Sequence, residues 1–420
     1  MTTTLEKEQK TGISILLLSK LFERISFYLV MSILVIYLTD SLNIEATTAG
    51  VYYSIFYGAI FIMSIVSGLI GDISNRVKIV TTGFIIIAAM YLLLAFLPNA
   101  IAATMTTLII LALGIGLVSP NIIVLLGNIY NEKNNEIIGL SGFILFSIIT
   151  SAGGFIAPLL SVFIRNNLGY SSVFVFASVF GLISLVLFNR FKVISAQLAP
   201  DKVENIESRP IKNLNAVILF SILIIGILVR FALNQNDLTF TYSVKDYMDN
   251  GYQLSQTFKD FDSYISIILL TVFAIIIART KQLTWAMVLN IILVGVILCS
   301  FVFISLACYN SLSQIFEPST IFIKSFVILL IAETLISPTI FYTIYRSSPI
   351  KRKGLFQGIS YLIMGISNQL LFLGAMLYQQ NQTLAYLVFG TCLLTCAVLI
   401  LILKIIVRKR LLEIKNLSNN

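Results

Sequence analysis

Seven charged side chains lie inside long apolar runs of this sequence. A charge in such a run costs roughly 2.5–3.5 kcal/mol on insertion scales if the run crosses a lipid bilayer, so its presence points to a polar cavity. These residues are therefore the first candidates for chemistry. The seven are Lys20, Glu23, Arg24, Arg230, Asp237, Lys324 and Glu333.

The first three of these charges form a local group. Lys20 precedes Glu23 by three residues and Arg24 by four, so a helix presents all three side chains on one broad face. The two cations partly neutralise Glu23 and leave a net charge of +1, which suits a carboxylate ligand.

The other charges are spaced more widely. Arg230 and Asp237 are seven residues apart and share a helix face, whereas Glu333 has no charged neighbour within one turn. An isolated Glu in the middle of a span requires a cation or a proton. Lys324 is close to the end of its run and is expected to reach toward water. The alternative for the whole set is that the charges only pair across helices and lock the bundle.

The composition excludes most other kinds of chemistry. The 420 residues are 58% hydrophobic and 11% charged, and none is His. The usual proton shuttle and commonest metal ligand are therefore missing. The four cysteines form no Cys-x-x-Cys pair, and no phosphate-binding loop with Gly-Lys-Ser/Thr occurs. We expect a membrane protein that is not an enzyme, with no metal site, no cofactor and no nucleic-acid partner.

Twelve apolar runs long enough to cross a bilayer carry these charges. The predicted spans 1 to 12 cover residues 13–38, 47–71, 78–97, 101–128, 138–164, 171–190, 214–243, 261–278, 283–308, 318–345, 354–378 and 382–407. Connections on the side of the termini hold 21 Lys and Arg residues, and those on the other side hold three. The positive-inside rule then places both termini in the cytoplasm.

The two halves of the chain carry matching motifs. Span 4 contains Ser119-Pro120-Asn121 and span 10 contains Ser337-Pro338-Thr339, about half the chain apart. This duplication predicts an all-α fold of two pseudo-symmetric six-helix bundles. Its boundaries are 1–190 for the first bundle, 191–213 for a cytoplasmic linker and 214–420 for the second bundle. Such repeats place a substrate site at the membrane midplane.

A short connection between spans 2 and 3 contains a further pattern. Gly68 allows close helix approach, Asp72 can cap a neighbouring helix, and Arg76 follows Asp72 by one turn. We expect these residues to form a latch that breaks when the halves rock, and we assign Arg230 to gating as well.

Several segments resemble known transporters. The connection after span 2 and the duplication resemble the major facilitator superfamily. Phe22-Glu23-Arg24-Ile25-Ser26-Phe27-Tyr28 resembles the first-helix signature of its proton-dependent oligopeptide transporters, Glu-x-x-Glu-Arg-Phe-x-Tyr-Tyr. Glu333-x-x-x-Ser337-Pro338 is similar to that family's tenth-helix motif.

The resemblance implies roles for individual residues. It assigns Arg24 to a peptide's C-terminal carboxylate and Glu333 to its ammonium group, and it makes Glu23 a proton site. Tyr28 and Asn121 would line the pocket, as would Ser337 beside Glu333.

The sequence also departs from the family pattern. The signature's first Glu is Lys20, and the fourth-helix Lys is Ser119. We hypothesise that Lys20 replaces this lysine as a carboxylate partner. The family's seventh-helix Glu aligns with Gln235, which leaves Asp237 as a second candidate for proton coupling.

Together these features predict a monomeric transporter in a bacterial inner membrane that imports short peptides with protons by alternating access. A proton gradient is the driving force, and the partners are the substrate and membrane lipids. One alternative is transport or export of another zwitterionic or anionic molecule, such as a modified amino acid or a siderophore-like compound. Another is a membrane receptor or assembly partner that transports nothing.

Overall fold

The computed structural model describes residues 7–97, 100–131, 136–197, 209–248, 251–280 and 283–419. Within these ranges, twelve helical segments are long and apolar enough to cross a membrane, which confirms the predicted number of spans. Nine spans are single α-helices: Ala46–Ile73, Arg76–Phe96, Ile101–Asn131, Glu136–Leu168, Tyr170–Gln197, Gly251–Ala278, Trp285–Ala307, Pro318–Ser347 and Gln382–Asn419.

The other three spans are interrupted. Span 1 comprises Lys7–Met31 and Leu34–Asp40, and span 7 comprises Arg209–Asn234, a π-helix at Asn236–Phe240 and Thr241–Tyr247. Span 11 begins with a short 3₁₀ turn and continues as Lys353–Gln369 and Leu371–Gln380. A further short helix, Tyr309–Leu312, follows span 9. Helices satisfy their backbone groups internally, which is the requirement in lipid.

The chain folds into two compact units. The first unit contains Met1–Glu204 together with Ile350–Gly365, and the second contains Asn205–Pro349 together with Ile366–Asn420. The first part of span 11 therefore belongs with the N-terminal spans. The predicted domain boundaries placed all of span 11 in the second bundle, so they differ from the structure for Ile350–Gly365. Residues 198–208 of the predicted linker lie outside the described residues.

The same packing pattern recurs inside each unit. In the first unit span 6 packs against spans 1 and 3, and span 4 packs against spans 2 and 3. In the second unit span 12 packs against spans 7 and 9, and span 10 packs against spans 8 and 9. These pairs correspond when six is added to each span number, so the packing agrees with the duplication read from the sequence.

Candidate functional site

The charges of span 1 form one ion cluster in the first unit. Lys20 Nζ lies 2.7 Å from Glu23 Oε2, and Arg24 donates from Nε to Oε2 at 2.8 Å and from Nη2 to Oε1 at 2.5 Å. The side chains of Lys20 and Glu23 are 1% exposed and that of Arg24 is 10% exposed. The predicted neutralisation of Glu23 by two cations is confirmed. One carboxylate between two cations leaves the cluster with a net charge of +1.

Aromatic rings and a glycine enclose this cluster. The Arg24 guanidinium lies over the rings of Phe27 and Tyr28, at 4.7 Å and 5.9 Å from their centroids. Span 5 approaches from another side at Gly153, where an added Cβ would lie 2.6 Å from the Cβ of Arg24. Rings stabilise the cation through their negative faces, and the missing side chain at Gly153 gives the arginine room. Tyr28 thus lies against Arg24, and its place in the lining of a substrate pocket stays a prediction.

Lys20 is the least satisfied member of the cluster. Its ammonium group contacts only one oxygen of Glu23 and lies 5.8 Å from the ring centroid of Phe146. Within the part of the chain that the structure describes, its nitrogen has no partner with hydrogen-bond geometry. An ammonium group carries three donors, so Lys20 has capacity for a further acceptor. This supports the hypothesis that Lys20 takes part in carboxylate binding.

The second unit holds an ion pair between spans 7 and 10. Arg230 Nη1 lies 3.5 Å from Glu333 Oε1, a long contact through a single nitrogen. The Arg230 side chain is 7% exposed, whereas that of Glu333 is 46% exposed. Glu333 was predicted to lack a charged neighbour within one turn of its helix, and its partner comes from another span. The open carboxylate still has a free side for a cation.

Ser337 lies one turn beyond Glu333 on span 10. Its hydroxyl oxygen is buried and has no hydrogen-bond partner among the described residues. Residues four apart share a helix face, so the hydroxyl follows the carboxylate along the same side of the span. The predicted pairing of these two residues in one binding surface is consistent with this placement.

Span 7 changes geometry just before its acidic residue. The regular helix ends at Asn234, and Asp237 lies in the π-helical segment with an exposed side chain, whereas Arg230 is buried. The seven-residue spacing therefore does not give Arg230 and Asp237 a common environment. Arg230 contacts Glu333 instead, which the sequence did not predict because the two residues are far apart in the chain.

One charged residue of the second unit was missed in the sequence. Asp262 was placed at the first turn of span 8, but the helix begins at Gly251 and the residue lies about three turns inside it. The sequence analysis treated the polar stretch before the apolar run as a loop. The stretch from Gly251 to Asp262 contains no Pro, and this was the signal that the helix could begin earlier.

The predicted latch residues meet in the first unit. Asp72 Oδ1 accepts from the backbone N–H of Gly354, and Oδ2 accepts from that of Leu355, both at 2.8 Å. Arg76 Nη2 donates to Asp72 Oδ1 at 2.6 Å. The carboxylate thus caps the positive N-terminal end of the helix Lys353–Gln369. A Cβ on Gly354 would lie 2.7 Å from Arg76 Nη1, so the contact requires glycine there.

Asn121 belongs to this latch and not to a charged pocket. Its Oδ1 accepts from Arg76 Nη1 at 2.9 Å, and its Nδ2 donates to Ser67 Oγ at 2.8 Å and to the Leu117 carbonyl at 2.9 Å. The side chain is fully buried and its hydrogen-bonding groups are all engaged. The contacts therefore assign Asn121 to the latch, where it orients Arg76, in place of the pocket-lining role predicted for it.

Metal chemistry finds no support among the described residues. No group of three or more His, Cys, Asp or Glu side chains there is placed to hold a metal ion. The four cysteines are free thiols on or beside apolar helices. The chemistry available to both clusters is that of ion pairing, hydrogen bonding and proton uptake.

Comparison with known proteins gives the family. The model of the major facilitator superfamily matches residues 16–368. Among curated proteins, the uncharacterized transporter YclF of Bacillus subtilis is 27% identical over 46% of this chain and 40% of its own length. The peptide transporter YePEPT of Yersinia enterocolitica is 29% identical over 42% of this chain and 36% of its own length. The matches therefore span well under half of these relatives.

Solved structures agree in fold. A POT family transporter in complex with 5-aminolevulinic acid has a TM-score of 0.67 at 18% identity, covering 94% of this chain and 96% of that one. The human organic anion transporter MFSD10 has a TM-score of 0.70 at 12% identity, covering 94% and 100%. These likenesses concern the fold, and the curated relatives bear out the resemblance to peptide transporters. With 353 of its residues inside the matched range, the chain belongs to the major facilitator superfamily.

Proposed function

We propose that this protein is a secondary active transporter that moves short peptides, together with protons, across a bacterial inner membrane. The observation that carries the proposal is that the described residues offer both signs of charge to a ligand. Span 1 holds a net positive cluster, and Glu333 on span 10 is a half-exposed carboxylate. A zwitterion with a carboxylate and an ammonium group requires both signs.

The Glu23 contacts supply a route for proton coupling. Both oxygens of Glu23 are occupied by Arg24, and one of them also faces Lys20. A proton on Glu23 would remove the negative charge that holds both cations. The guanidinium fork and the ammonium group would then be available to a substrate carboxylate. Proton and substrate would therefore bind together, which is the requirement for symport.

The latch provides a conformational step. Asp72 binds the helix that begins at Lys353 through two backbone N–H groups, and this contact is formed in the structure. Alternating access requires contacts of this kind to form in one state and break in another. We assign Asp72 and Arg76 a gating role because they stabilise the conformation in which Asp72 binds the first turn of the helix Lys353–Gln369.

The test of this proposal is uptake of labelled dialanine into proteoliposomes, with and without an inward proton gradient, comparing wild type with Glu333→Gln. We expect gradient-driven uptake in wild type and a loss of about ten- to hundred-fold in the variant, since charge-assisted hydrogen bonds contribute about 1.5–3 kcal/mol. Glu317→Gln removes an exposed acid at the start of the same span and should leave uptake unchanged. Equal uptake by wild type and Glu333→Gln would exclude the proposed ammonium site.

A second candidate substrate class is a smaller zwitterion. The resemblance to the peptide transporters aligns Ser147 with that family's fifth-helix Tyr. The Ser147 hydroxyl donates to the Phe143 carbonyl at 3.2 Å. The hydroxyl is thus bound within its own helix, and serine is too short to contact a substrate as far away as a tyrosine could. The solved POT family transporter with 5-aminolevulinic acid shows that a protein of this fold binds such a molecule. Stronger competition by 5-aminolevulinic acid than by unlabelled dialanine, in the same vesicles, would favour the smaller substrate.

A further inference from the structure

A polar cavity lies in the second unit, at the end where spans 7, 9 and 11 finish and span 12 begins. Its volume is about 520 Å³, within the range of about 300–1,000 Å³ that is typical of small-molecule sites. It is lined by Asp246 and Tyr247 at the end of span 7, by Asn310 after span 9, and by residues 378–383. The positive-inside prediction makes this the outer end of the unit, where an imported substrate arrives.

The chemical groups of this cavity are hydroxyls, amides and one carboxylate. Each described lining residue carries one of these groups, and none of them is basic. Lys245 precedes Asp246 in the chain, but its exposed side chain is not among those that line the cavity. The described lining therefore has one negative charge, and its amides can both donate and accept hydrogen bonds.

Hydrogen bonds hold one oxygen of Asp246 and leave the other open. The Tyr378 hydroxyl donates to Asp246 Oδ2 at 2.9 Å, and Gln382 Nε2 donates to the same oxygen at 3.5 Å. Among the described residues nothing donates to Oδ1, and no cation pairs with the carboxylate. A carboxylate accepts about four hydrogen bonds, so Oδ1 is available to a ligand that donates.

The neighbours of this carboxylate are fixed in place. The Tyr247 hydroxyl donates to Gln382 Oε1, so the Gln382 amide bridges Tyr247 and Asp246. The centroid of the Tyr247 ring lies 4.0 Å from that of Tyr309, and these two rings lie 6.2 Å and 5.6 Å from Phe322 of span 10. A site whose groups are already ordered loses less entropy when a ligand binds.

The negative charge of Asp246 has no structural use among these contacts. The residue lies in the last turn of Thr241–Tyr247, where the helix dipole is negative and a carboxylate is unfavourable. The oxygen of a neutral Asn would accept the hydrogen bonds from Tyr378 and Gln382 equally well. A charge in this position is useful when a cation binds to it.

We propose that this cavity is an outer binding site for a primary ammonium group that is followed by an amide, as at the N-terminal end of a short peptide. Asp246 Oδ1 binds the ammonium group, and the side-chain amides of Gln379 and Gln380 bind the peptide unit. This inference rests on the proposed function for its role, which is to capture the substrate before it reaches the midplane.

The outer site is separate from the one proposed at Glu333. Phe322, which packs against Tyr247 and Tyr309 beside the cavity, precedes Glu333 by eleven residues on span 10. At 1.5 Å per residue, Glu333 lies about 16 Å deeper along the helix. Removing the charge of Glu333 should therefore leave the outer site intact.

The test is protection of a thiol in the cavity from a maleimide that does not enter lipid, with the purified protein in lipid nanodiscs. The reporter is Thr383→Cys, at an exposed lining position, in a protein whose exposed Cys308 is replaced by Ser. We expect dialanine to slow modification of the reporter several-fold. N-acetyl-dialanine, which has no ammonium group, should not slow it. Equal protection by both compounds, or protection by neither, would overturn the proposal.

Variants of single acids locate the protection. Asp246→Asn retains an oxygen for Tyr378 and loses the charge, so we expect wild-type thermal stability without protection by dialanine. The matched Glu317→Gln removes an exposed acid at the start of span 10 and should keep the protection, as should Glu333→Gln. Full protection in Asp246→Asn, or its loss in Glu333→Gln, would contradict the outer site.

Two features keep the result decisive. The comparison of dialanine with N-acetyl-dialanine is made with Asp246 in place, so it decides the matter even if Asp246→Asn does not fold. Protection also requires no transport. Protection by dialanine without any uptake of dialanine would contradict only the proposed function.

Discussion

At the scale of single residues, local spacing predicted the first cluster and could not predict the second. Lys20, Glu23 and Arg24 lie within one turn, so helix geometry alone brings them together. Arg230 and Glu333 lie on different spans, and no pattern along one chain selects this partner. Such a pair depends on how two helices pack, which a single sequence does not encode in any local period.

The charges of the span 1 cluster predict how two substitutions change the thermal stability of the protein. Glu23→Gln removes the counter-charge of two nearly buried cations, and breaking a buried ion pair costs about 3–5 kcal/mol. Lys20→Met instead leaves the matched Glu23–Arg24 pair. We expect a clear loss of thermal stability in detergent for Glu23→Gln and little change for Lys20→Met. Thermal unfolding followed by intrinsic fluorescence measures both.

The comparison of Glu23→Gln with Lys20→Met distinguishes a binding cluster from a structural one. Both change one charge in the same cluster by a side chain of similar size. If Lys20→Met destabilises the protein as much as Glu23→Gln does, the net positive charge is a structural requirement of the bundle. The cluster would then be a lock between helices, which is the alternative that the sequence left open.

At the scale of elements, apolar length predicted the spans and missed their interruptions. All twelve spans exist, because a run of about twenty apolar residues must be helical to cross lipid. The π-helix at Asn236–Phe240 has no such signature. The Gln235 side chain lies against Gly374 of span 11 and accepts from Thr239, so the irregular geometry is coupled to a neighbouring helix.

The latch gives a prediction at this scale. Gly354→Val places a branched side chain where a Cβ alone would approach Arg76 Nη1, Asp72 Oδ1 and the Gly68 carbonyl. We expect the variant to lose the capping contact and to change the conformational equilibrium, with loss of uptake. Thiol accessibility of a single cysteine at position 75, read with and without the change, measures the opening.

A matched substitution separates this effect from the general effect of a larger residue. An added Cβ at Gly226, inside span 7, has no neighbour within 4 Å. Gly226→Val should therefore leave both uptake and thiol accessibility as in wild type. Equal accessibility at position 75 in the Gly354→Val protein and in wild type would contradict the assignment of Asp72 as a latch.

At the scale of the whole molecule, the duplication predicted the internal packing of the two units. It did not predict that Ile350–Gly365 would belong with the N-terminal spans. The sequence divides the chain at a linker, because polarity and prolines mark loops. The partners of span 11 depend instead on glycine contacts and on the Asp72 cap, which are tertiary features.

The orientation of the chain is a further prediction at this scale. Lys and Arg residues number 21 on one side of the predicted topology and three on the other, so both termini should face the cytoplasm. A fluorescent reporter that matures only in the cytoplasm should be active when fused to either terminus, and alkaline phosphatase, which is active only outside, should not be. The opposite result at either terminus would reverse the assignment of inner and outer ends.

The central claim is that a zwitterion and a proton cross the membrane together. Its most direct measurement is the pH inside proteoliposomes when dialanine is added outside, without any imposed proton gradient and with the membrane potential clamped at zero by valinomycin and equal potassium concentrations. We expect acidification of the interior that requires dialanine and is abolished by Glu333→Gln. Dialanine uptake without acidification would contradict proton coupling, and the absence of both would contradict a dipeptide substrate.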